Sequence, residues 1–317
     1  VQKAGHAAGH ELRRLGIDID FAPVADVNSN PANPVIGNRS FGSRPELVGA
    51  LAAAWADGLR QAGVMSVGKH FPGHGDADLD SHLALPVIAS NVETLSAVEL
   101  PPFQTLIDRG VDGMMTAHLD VPALDSTSGL PTSLSPLVTH DLLLDSMGFE
   151  GLVFTDALTM AGAADPVPPG TREVAALRAG NDVLLFPSEP SLVLDSIEAA
   201  LLRGTLDTSR INEACLKVLL AKQWAQNADH PHPEADLRSL QEEIRGHMLV
   251  RLGTGRPLDQ SIRTALVVVG NRGEAAENRL RLTFPDLKVI RKGKGSIGQV
   301  DQARIEAAVA DCPQVVV

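Results

Sequence analysis

Cysteine, positive charge and long apolar runs are all scarce in this chain of 317 residues, and each scarcity excludes a class of protein. The two cysteines, Cys215 and Cys312, provide neither a disulfide framework nor a CxxC metal motif. A count of 27 Lys and Arg against 39 Asp and Glu gives a net charge of -12. This charge argues against a nucleic-acid partner, because such a partner selects a clustered basic surface. No apolar run approaches the roughly 20 residues that a membrane-spanning helix needs.

The composition is that of a folded protein. Apolar residues make up 44% and charged residues 21% of the chain, which is enough for a buried core. The first residues have the character of a helix interior, and residues 315–317 are three valines typical of a strand. We therefore expect a fragment that lacks part of both ends, in which a leader peptide cannot be judged. A soluble protein of the cytoplasm or of the periplasm is compatible with the sequence, which carries no indication of oligomeric state.

Short apolar runs alternate with helical segments over the first two thirds of the chain. The runs are residues 21–24, 64–67, 111–116, 152–155 and 183–186, and helical periodicity marks segments such as 45–61 and 136–147. Strand followed by helix, repeated, predicts parallel strands joined by crossovers. A closed barrel and an open doubly wound sheet both satisfy this pattern.

Polar residues follow several of these runs, and their spread favours the barrel. Asp26, Lys69, His70, His118 and Asp156 each lie just past the carboxyl end of a run. Sites in barrels draw on several strand ends, whereas an open sheet binds ligands mostly at one switch point. We therefore predict an α/β fold: a (β/α)8 TIM-type barrel, followed by the start of a second α/β domain. The barrel is expected to be N-terminally truncated, because fewer runs are visible than its eight strands require.

The domain organisation follows from changes in composition. The predicted domains are a partial TIM-barrel catalytic domain over residues 1–225, a linker and helix over 226–262, and the start of a truncated α/β sandwich-type domain over 263–317. Residues 227–233 are polar and contain His and Pro, as linkers do. A charged helix is predicted from about residue 234 to 252.

The opening of the second domain is predicted from short apolar segments. Strands are predicted at residues 264–270 and 287–290 and at the terminal valines, with a helix at about 300–310. The glycine-rich stretch 293–296 lacks the spacing and flanks of a phosphate loop, so we interpret it as a turn.

Residues 69–82 concentrate the side chains that can carry chemistry. They read Lys-His-Phe-Pro-Gly-His-Gly-Asp-Ala-Asp-Leu-Asp-Ser-His. Their proline and glycines would destabilise a helix, so the segment is predicted to be a polar loop after a buried strand. Functional side chains concentrate in such loops.

Calcium binding is one interpretation of this loop. Asp76, Asp78 and Asp80 match the opening of an EF-hand loop. That loop also requires Gly at its sixth position and Glu at its twelfth, where this chain has Ser81 and Val87. The calcium interpretation therefore fails.

Zinc binding and acid/base chemistry are two further interpretations. His70 and His74 are four residues apart, but without a helix they do not share a face, which leaves a metal cluster as a minor alternative. Asp80 and His82 form an Asp-x-His pair, in which the carboxylate can hold one ring nitrogen while the other faces a substrate. On this pattern alone, a loop of solvated charges is an equal alternative.

Three blocks of sequence together resemble a known family. The first is residues 69–82, and the second is residues 148–158, Gly-Phe-Glu-Gly-Leu-Val-Phe-Thr-Asp-Ala-Leu. The third is residues 22–28 together with 38–42. In order and spacing, over about residues 10–225, these blocks resemble glycoside hydrolase family 3 in its β-N-acetylglucosaminidase branch. The Asp-Ser-His ending of the first block is peculiar to that branch.

The resemblance implies a retaining reaction with named residues. Asp156 is implied as the nucleophile that forms a covalent glycosyl-enzyme, which water then hydrolyses. His82, oriented by Asp80, is implied as the acid/base in place of the usual second carboxylate. An imidazole beside Asp156 avoids the like-charge repulsion that would raise the pKa of a carboxylate nucleophile.

The resemblance also implies how the sugar is bound. Lys69, His70 and Arg39 resemble the residues that contact sugar hydroxyls, while His118 can either line the pocket or serve as a hydrogen-bonded structural residue. The family has an earlier strand with an Asp for the sugar hydroxyls and a nearby Arg, and this chain is expected to start after them. The implied substrate is a small-molecule glycoside with terminal β-linked N-acetylglucosamine, from muropeptides or chitin oligomers. Neither a metal nor a cofactor is implied.

Besides the metal cluster, three alternatives to this hypothesis remain. A phosphorylase of the same family is one, because a histidine acid/base lets anionic phosphate approach where a carboxylate repels it. A β-glucosidase of the same family is the second, against which the Asp-Ser-His ending argues. A non-catalytic sugar-binding module is the third, and such a module needs neither Asp156 nor His82.

Overall fold

The computed structural model describes most of the chain. The described residues are 1–77, 79–81, 83–227, 239–240, 243, 264–269, 281, 286–292, 307 and 314–316. They belong to two compact units, Val1–Ile244 and Arg245–Val317. In the described part of the chain, no helix is both long enough and apolar enough to cross a membrane.

The first unit is built on parallel strands. These are β1 (Ile19–Asp20), β2 (Met65–Phe71), β3 (Gly113–Thr116) and β4 (Leu152–Thr155), adjacent to one another in this order. Ile19 pairs with Met65, and Gly113 pairs with both Val67 and Leu152. A bridge from Phe154 to Val183 continues the parallel order beyond β4. The parallel arrangement predicted from the alternating runs is therefore confirmed.

The strands are buried on both faces because helices cover them. All four residues of β3 and of β4 are buried, which explains why these strands are continuous apolar runs without alternation. The helices of the unit are α1 (Gln2–Arg14), α2 (Pro45–Gln61), α3 (Val92–Thr94), α4 (Leu100–Asp108), α5 (Ala161–Ala164), α6 (Thr171–Ala179), α7 (Pro190–Leu202) and α8 (Thr208–Asn227). Two π-helical stretches, Leu95–Glu99 and Leu137–Ser146, and two 3-10 helices, Gly37–Arg39 and Thr132–Leu134, also lie in the described part of this unit.

The first predicted run differs from the strand that the structure contains. Residues 21–24 were expected to be a strand, whereas the ladder of β1 lies at Ile19–Asp20. The run still follows β2, because the carbonyl groups of Ala22 and Pro23 accept hydrogen bonds from its backbone at 2.9 and 3.1 Å. Pro23 has no N–H group to donate in return, so the regular ladder is interrupted there.

Helices α1 and α2 pack closely through glycines. A Cβ atom added at Gly58 would lie 2.2 Å from the carbonyl oxygen of Gln2, and one at Gly5 would lie 2.4 Å from the carbonyl oxygen of Trp55. Backbone atoms of one helix therefore occupy the space that a side chain of the other would need. Glycine costs a helix about 1 kcal/mol relative to alanine, so at these positions close packing outweighs helix propensity.

Gly58→Ala is expected to lower the free energy of unfolding by about 1–3 kcal/mol, because the added methyl group forces α1 away from α2. Urea unfolding followed by tryptophan fluorescence measures this difference. Ala50→Ser, on the exposed face of α2, is the matched control and should change stability by less than about 0.5 kcal/mol. A stabilised Gly58→Ala protein would contradict the close packing.

The second unit contains a separate parallel sheet. Its strands are β5 (Thr264–Val269), β6 (Lys288–Lys292) and β7 (Gln314–Val316), with β5 in the middle. The three strands predicted for this region are thus confirmed. The helices expected at about 234–252 and 300–310 lie largely outside the described residues, as does the turn at 293–296. The predicted domain boundaries stay a prediction.

Candidate active site

The carboxyl ends of β2 and β4 meet at one cavity of about 190 Å³. The polar residues that line it are Arg39, Lys69, His70, His74, Ser81 and Asp156. The apolar residues that line it are Phe21, Val35, Met115, Ala157, Leu185 and Phe186. The structure therefore brings together four residues that the sequence pointed to, Arg39, Lys69, His70 and Asp156, from segments far apart in the chain.

His70 is held in one orientation by Asp26. The Nδ1 atom of His70 lies 2.7 Å from Oδ2 of Asp26, and both side chains are buried. Asp26 Oδ1 also accepts hydrogen bonds from the backbone N–H groups of His70 at 3.1 Å and of His74 at 2.8 Å. Because a carboxylate only accepts hydrogen bonds, Nδ1 of His70 donates to Asp26, and this contact fixes the orientation of the ring.

Asp26 is an ionised carboxylate in a buried place. Burial by itself would raise its pKa, but the His70 and His74 interactions outweigh burial and hold the pKa of Asp26 below its usual value. The sequence placed Asp26 at a strand end but did not reveal that it orients His70. Contacts between residues 44 positions apart leave no local pattern to detect.

Lys69 precedes His70 on β2 and is partly buried in the cavity. Burial lowers its pKa, and the nearby Arg39 charge lowers it further. The charges of Asp156, Asp20 and Asp26 act in the opposite direction. Lys69 thus lies within electrostatic reach of the predicted nucleophile and of the predicted sugar-binding arginine.

Arg39 reaches the cavity from a short 3-10 helix, Gly37–Arg39. Its guanidinium donates a hydrogen bond to the carbonyl oxygen of Val35 at 3.3 Å, and its side chain is exposed.

Asp156 follows β4 directly, and backbone contacts fix its position. Its N–H group donates to the carbonyl oxygen of Thr116 at 2.9 Å, which extends the pairing of β3 with β4. One carboxylate oxygen accepts from the N–H group of Ala157 at 2.7 Å. The oxygen that accepts is Oδ1, so Oδ2 does not take part in this backbone contact. The side chain of Asp156 borders the cavity.

His118 supports the segment after Asp156 rather than lining the cavity. Its Nε2 atom lies 3.1 Å from the carbonyl oxygen of Ala157, and its Nδ1 lies 2.7 Å from Oγ of Ser133. Burial lowers the pKa of His118, which favours the neutral ring that donates to Ala157 and accepts from Ser133. Of the two roles that the sequence left open, the structure shows the hydrogen-bonded one.

Ser81 connects the loop after β2 to the segment that follows Asp156. Its hydroxyl group lies 3.1 Å from Nε2 of His74, and its carbonyl oxygen accepts from the N–H group of Gly162 at 3.1 Å. A Cβ atom at Gly162 would lie 3.1 Å from that same carbonyl oxygen, so the two segments are in close contact. His82 follows Ser81 in the sequence but lies outside the described residues, as does Asp78. The pairing of Asp80 with His82 stays a prediction.

Glu99 is a buried carboxyl group beneath this loop that the sequence did not reveal. Burial, followed by the negative charge of Asp26, raises the pKa of Glu99 to about 8. Its Oε1 accepts a hydrogen bond from Oγ of Ser29 at 3.1 Å. A Cβ atom at Gly73 would lie 2.6 Å from Oε2, so glycine is what lets the loop pass over Glu99.

The metal-binding interpretations gain no support from these contacts. The Nδ1 atom of His70 faces Asp26, and Nε2 of His74 faces Ser81. Across the residues that the structure describes, one trio is close enough to share a metal ion, and it consists of His140, Asp141 and Asp145. This trio lies exposed on the π-helical stretch Leu137–Ser146 and not in the cavity.

The fold and the site together define a class of protein: an α/β chain of the TIM-barrel type with polar groups gathered at the carboxyl ends of parallel strands. The model of the glycosyl hydrolase family 3 N terminal domain matches residues 1–221. The chain belongs to glycosyl hydrolase family 3. The predicted fold class, a TIM-type barrel followed by a second α/β unit, and the predicted family are thereby confirmed.

Several relatives carry a more specific name. A beta-hexosaminidase of Methylococcus capsulatus is 38% identical over 241 residues, which cover 73% of this chain and 71% of that protein. The beta-hexosaminidase LpqI of Mycobacterium tuberculosis is 41% identical over 230 residues, which cover 70% of this chain and 58% of that protein. The chain thus spans between about half and three quarters of the length of these relatives.

Solved structures agree with the family. A family 3 β-N-acetylglucosaminidase from a Paenibacillus species aligns with a TM-score of 0.79 at 34% identity, covering 100% of this chain and 64% of that chain. The β-glucoside phosphorylase BglX aligns with a TM-score of 0.77 but at 24% identity, covering 99% of this chain and 63% of that chain. The second likeness concerns the fold alone.

Asp26→Asn is expected to lower the free energy of unfolding by about 2–3 kcal/mol at pH 7, because it removes the charge on which several hydrogen bonds converge. The pKa of Asp26 is lower in the folded state than the ordinary value of 3.8. Its contribution to stability is therefore present above about pH 4 and is lost as the pH falls through the folded-state pKa. The difference between the two proteins should shrink below about pH 4.

Urea unfolding between pH 3 and pH 7 measures this effect. Asp165→Asn, at an exposed position beside α5, is the matched control and should leave stability unchanged at every pH. An Asp26→Asn difference that stays constant down to pH 3, or that grows there, would contradict the assignment of Asp26 as a stabilising carboxylate.

Proposed function

We propose that this chain carries the reaction centre of a retaining exo-β-N-acetylglucosaminidase. The observation that supports this most directly is the position of Asp156 in one cavity with Lys69, His70 and Arg39. A carboxylate nucleophile, two cations and an oriented imidazole are the groups needed to hold a sugar and attack its anomeric carbon. The natural substrate is proposed to be a terminal β-linked N-acetylglucosamine of muropeptides or chitin oligomers.

The reaction proceeds in two steps. In the first, an oxygen of Asp156 attacks the anomeric carbon, the bond to the leaving-group oxygen breaks, and His82 gives that oxygen its proton. In the second, His82 takes a proton from water, the water oxygen attacks the anomeric carbon, and the bond to Asp156 breaks. Asp80 is the proposed partner that holds the ring of His82.

The charges around the cavity support a histidine acid/base. Among the described residues that line the cavity, Asp156 is the one carboxylate, and Asp26 lies behind His70 with its oxygens engaged. Retaining enzymes with two carboxylates need both within about 5–5.5 Å of each other at the sugar. The described lining offers no such pair, so the proton donor is proposed to come from the loop that leads to His82.

Asp156→Ala is expected to lower kcat for an aryl N-acetyl-β-glucosaminide on the order of 10⁴-fold, because no covalent intermediate can form. The protein is to be produced from its complete reading frame and assayed by release of the aryl alcohol. Asp165→Ala, an exposed aspartate beside the same segment, is the matched control and should retain full activity. Full activity of Asp156→Ala would exclude this residue as nucleophile.

The same assay tests which sugar is cleaved and whether water or phosphate accepts it. Cleavage of the aryl glucoside in preference to the N-acetylglucosaminide would indicate a β-glucosidase instead. Formation of sugar 1-phosphate when phosphate is added would indicate a phosphorylase. A folded protein that cleaves neither substrate would favour the sugar-binding module.

His82→Ala is expected to slow cleavage of substrates with poor leaving groups by roughly 10²–10⁴-fold, because these need a proton in the first step. With a dinitrophenyl leaving group the first step needs no acid, and added azide should restore turnover because it attacks without a general base. Steady-state rates and detection of the glycosyl azide measure this. His140→Ala, an exposed histidine outside the cavity, should behave as the unaltered protein. Equal losses on both classes of leaving group, without rescue by azide, would contradict the proposed acid/base role.

A further inference from the structure

Phe186 is an exposed aromatic residue at the mouth of the cavity. It borders the cavity together with Asp156, yet 71% of its surface is accessible to solvent. The inner residues of the same cavity, such as His70 and His74, are buried. Phe186 therefore contributes little to the core and presents its ring where a ligand leaves the cavity.

The backbone that carries Phe186 is held on the nucleophile segment. The N–H group of Leu185 donates to Oγ1 of Thr155 at 3.0 Å, and the carbonyl oxygen of Leu185 accepts from the N–H group of Leu158 at 2.9 Å. Thr155 and Leu158 flank Asp156 on either side. The position of Phe186 is thus fixed relative to the nucleophile by the residue immediately before it.

The conformation of Phe186 is one that a bulky residue rarely adopts. Its φ is 48°, and within the described part of the chain it is the one residue other than glycine with a positive φ. Pro187 follows and restricts the conformation of Phe186 further. Glycine would adopt this turn without strain, so neither burial nor backbone preference accounts for an aromatic residue here. Strained residues of this kind occur at ligand-binding sites.

The size of the cavity indicates what lies against Phe186. About 190 Å³ is smaller than the roughly 300–1,000 Å³ of sites that enclose a whole drug-sized ligand. In an exo-acting glycosidase the terminal sugar occupies the cavity, and the leaving group extends past its mouth. A pyranose ring has an apolar face of C–H groups, which matches an exposed aromatic ring, whereas its hydroxyl groups remain in water.

We propose that Phe186 forms a binding subsite for the leaving group and stacks on the pyranose ring next to the bond that is cleaved. The preferred substrates are then oligosaccharides whose leaving group is a second sugar, rather than glycosides of small alcohols. This inference rests on the proposed glycosidase function, since it assigns the sugar that leaves.

The test compares two substrates that share the terminal sugar. Phe186→Ala is expected to lower kcat/KM for N,N′-diacetylchitobiose by about 10-fold, as removal of an aromatic contact of this size does. It should change kcat/KM for methyl N-acetyl-β-glucosaminide by less than about twofold, because the methyl group does not reach the ring. Phe186→Trp should restore the disaccharide activity. Leu202→Ala, another exposed apolar residue but on α7, is the matched control and should affect neither substrate.

A second variant and a binding measurement distinguish the loss of the aromatic ring from any effect of the backbone conformation at residue 186. Phe186→Gly accepts the positive φ and should lose disaccharide activity as Phe186→Ala does. In an Asp156→Ala background, which cannot turn over, Phe186→Ala should weaken calorimetric binding of the disaccharide by about 10-fold and leave that of N-acetylglucosamine unchanged.

The outcomes distinguish this inference from the proposed function. If the unaltered protein cleaves both substrates and Phe186→Ala loses activity equally on both, or on neither, the subsite is not at Phe186. If the unaltered protein cleaves neither substrate, the proposed function fails, and the binding measurement alone then decides whether Phe186 holds a second sugar.

Discussion

The buried charge of Asp26 is the interaction on which the arrangement of the cavity depends. An ionised carboxylate with no exposed surface is stable only where its oxygens are paired, and here they are paired with His70 and with the backbone of His74. Glu99 is close enough to sense this charge, and its raised pKa leaves it protonated at neutral pH. Of these two neighbouring buried carboxyl groups, Asp26, which faces His70, is therefore ionised at neutral pH, and Glu99 is protonated.

Hydrogen bonds connect Asp26 to both sides of the cavity. Through His70 they reach the end of β2, where Lys69 lies, and through His74 they reach the hydroxyl group of Ser81. Ser81 in turn contacts Gly162, a few residues after Asp156. His70, His74, Ser81 and the segment after Asp156 are thus parts of one hydrogen-bonded network centred on Asp26.

Local patterns predicted the elements of this fold well, and non-local contacts account for what they missed. The helix expected at residues 45–61 is α2 with the same bounds, because apolar periodicity and Pro45 at its first position act within the segment itself. The link from Asp26 to His70 spans 44 positions, and Glu99 occupies a face of its helix that periodicity predicts to be apolar. Neither the contact between Asp26 and His70 nor the burial of Glu99 can be predicted from a short window of sequence. The strand-end pattern singled out Asp156, whereas its nucleophile role and the choice of Arg39 came from the resemblance.

The contact between Gly162 and Ser81 has a consequence for altering specificity. It joins main chain to main chain, so the spacing between the segment after Asp156 and the loop at Ser81 does not depend on which side chains line the cavity. Val35 and Arg39 come from a separate stretch of chain and do not take part in that contact. Laboratory evolution can therefore vary the cavity wall at these two positions and keep this spacing, provided that residue 162 remains without a side chain.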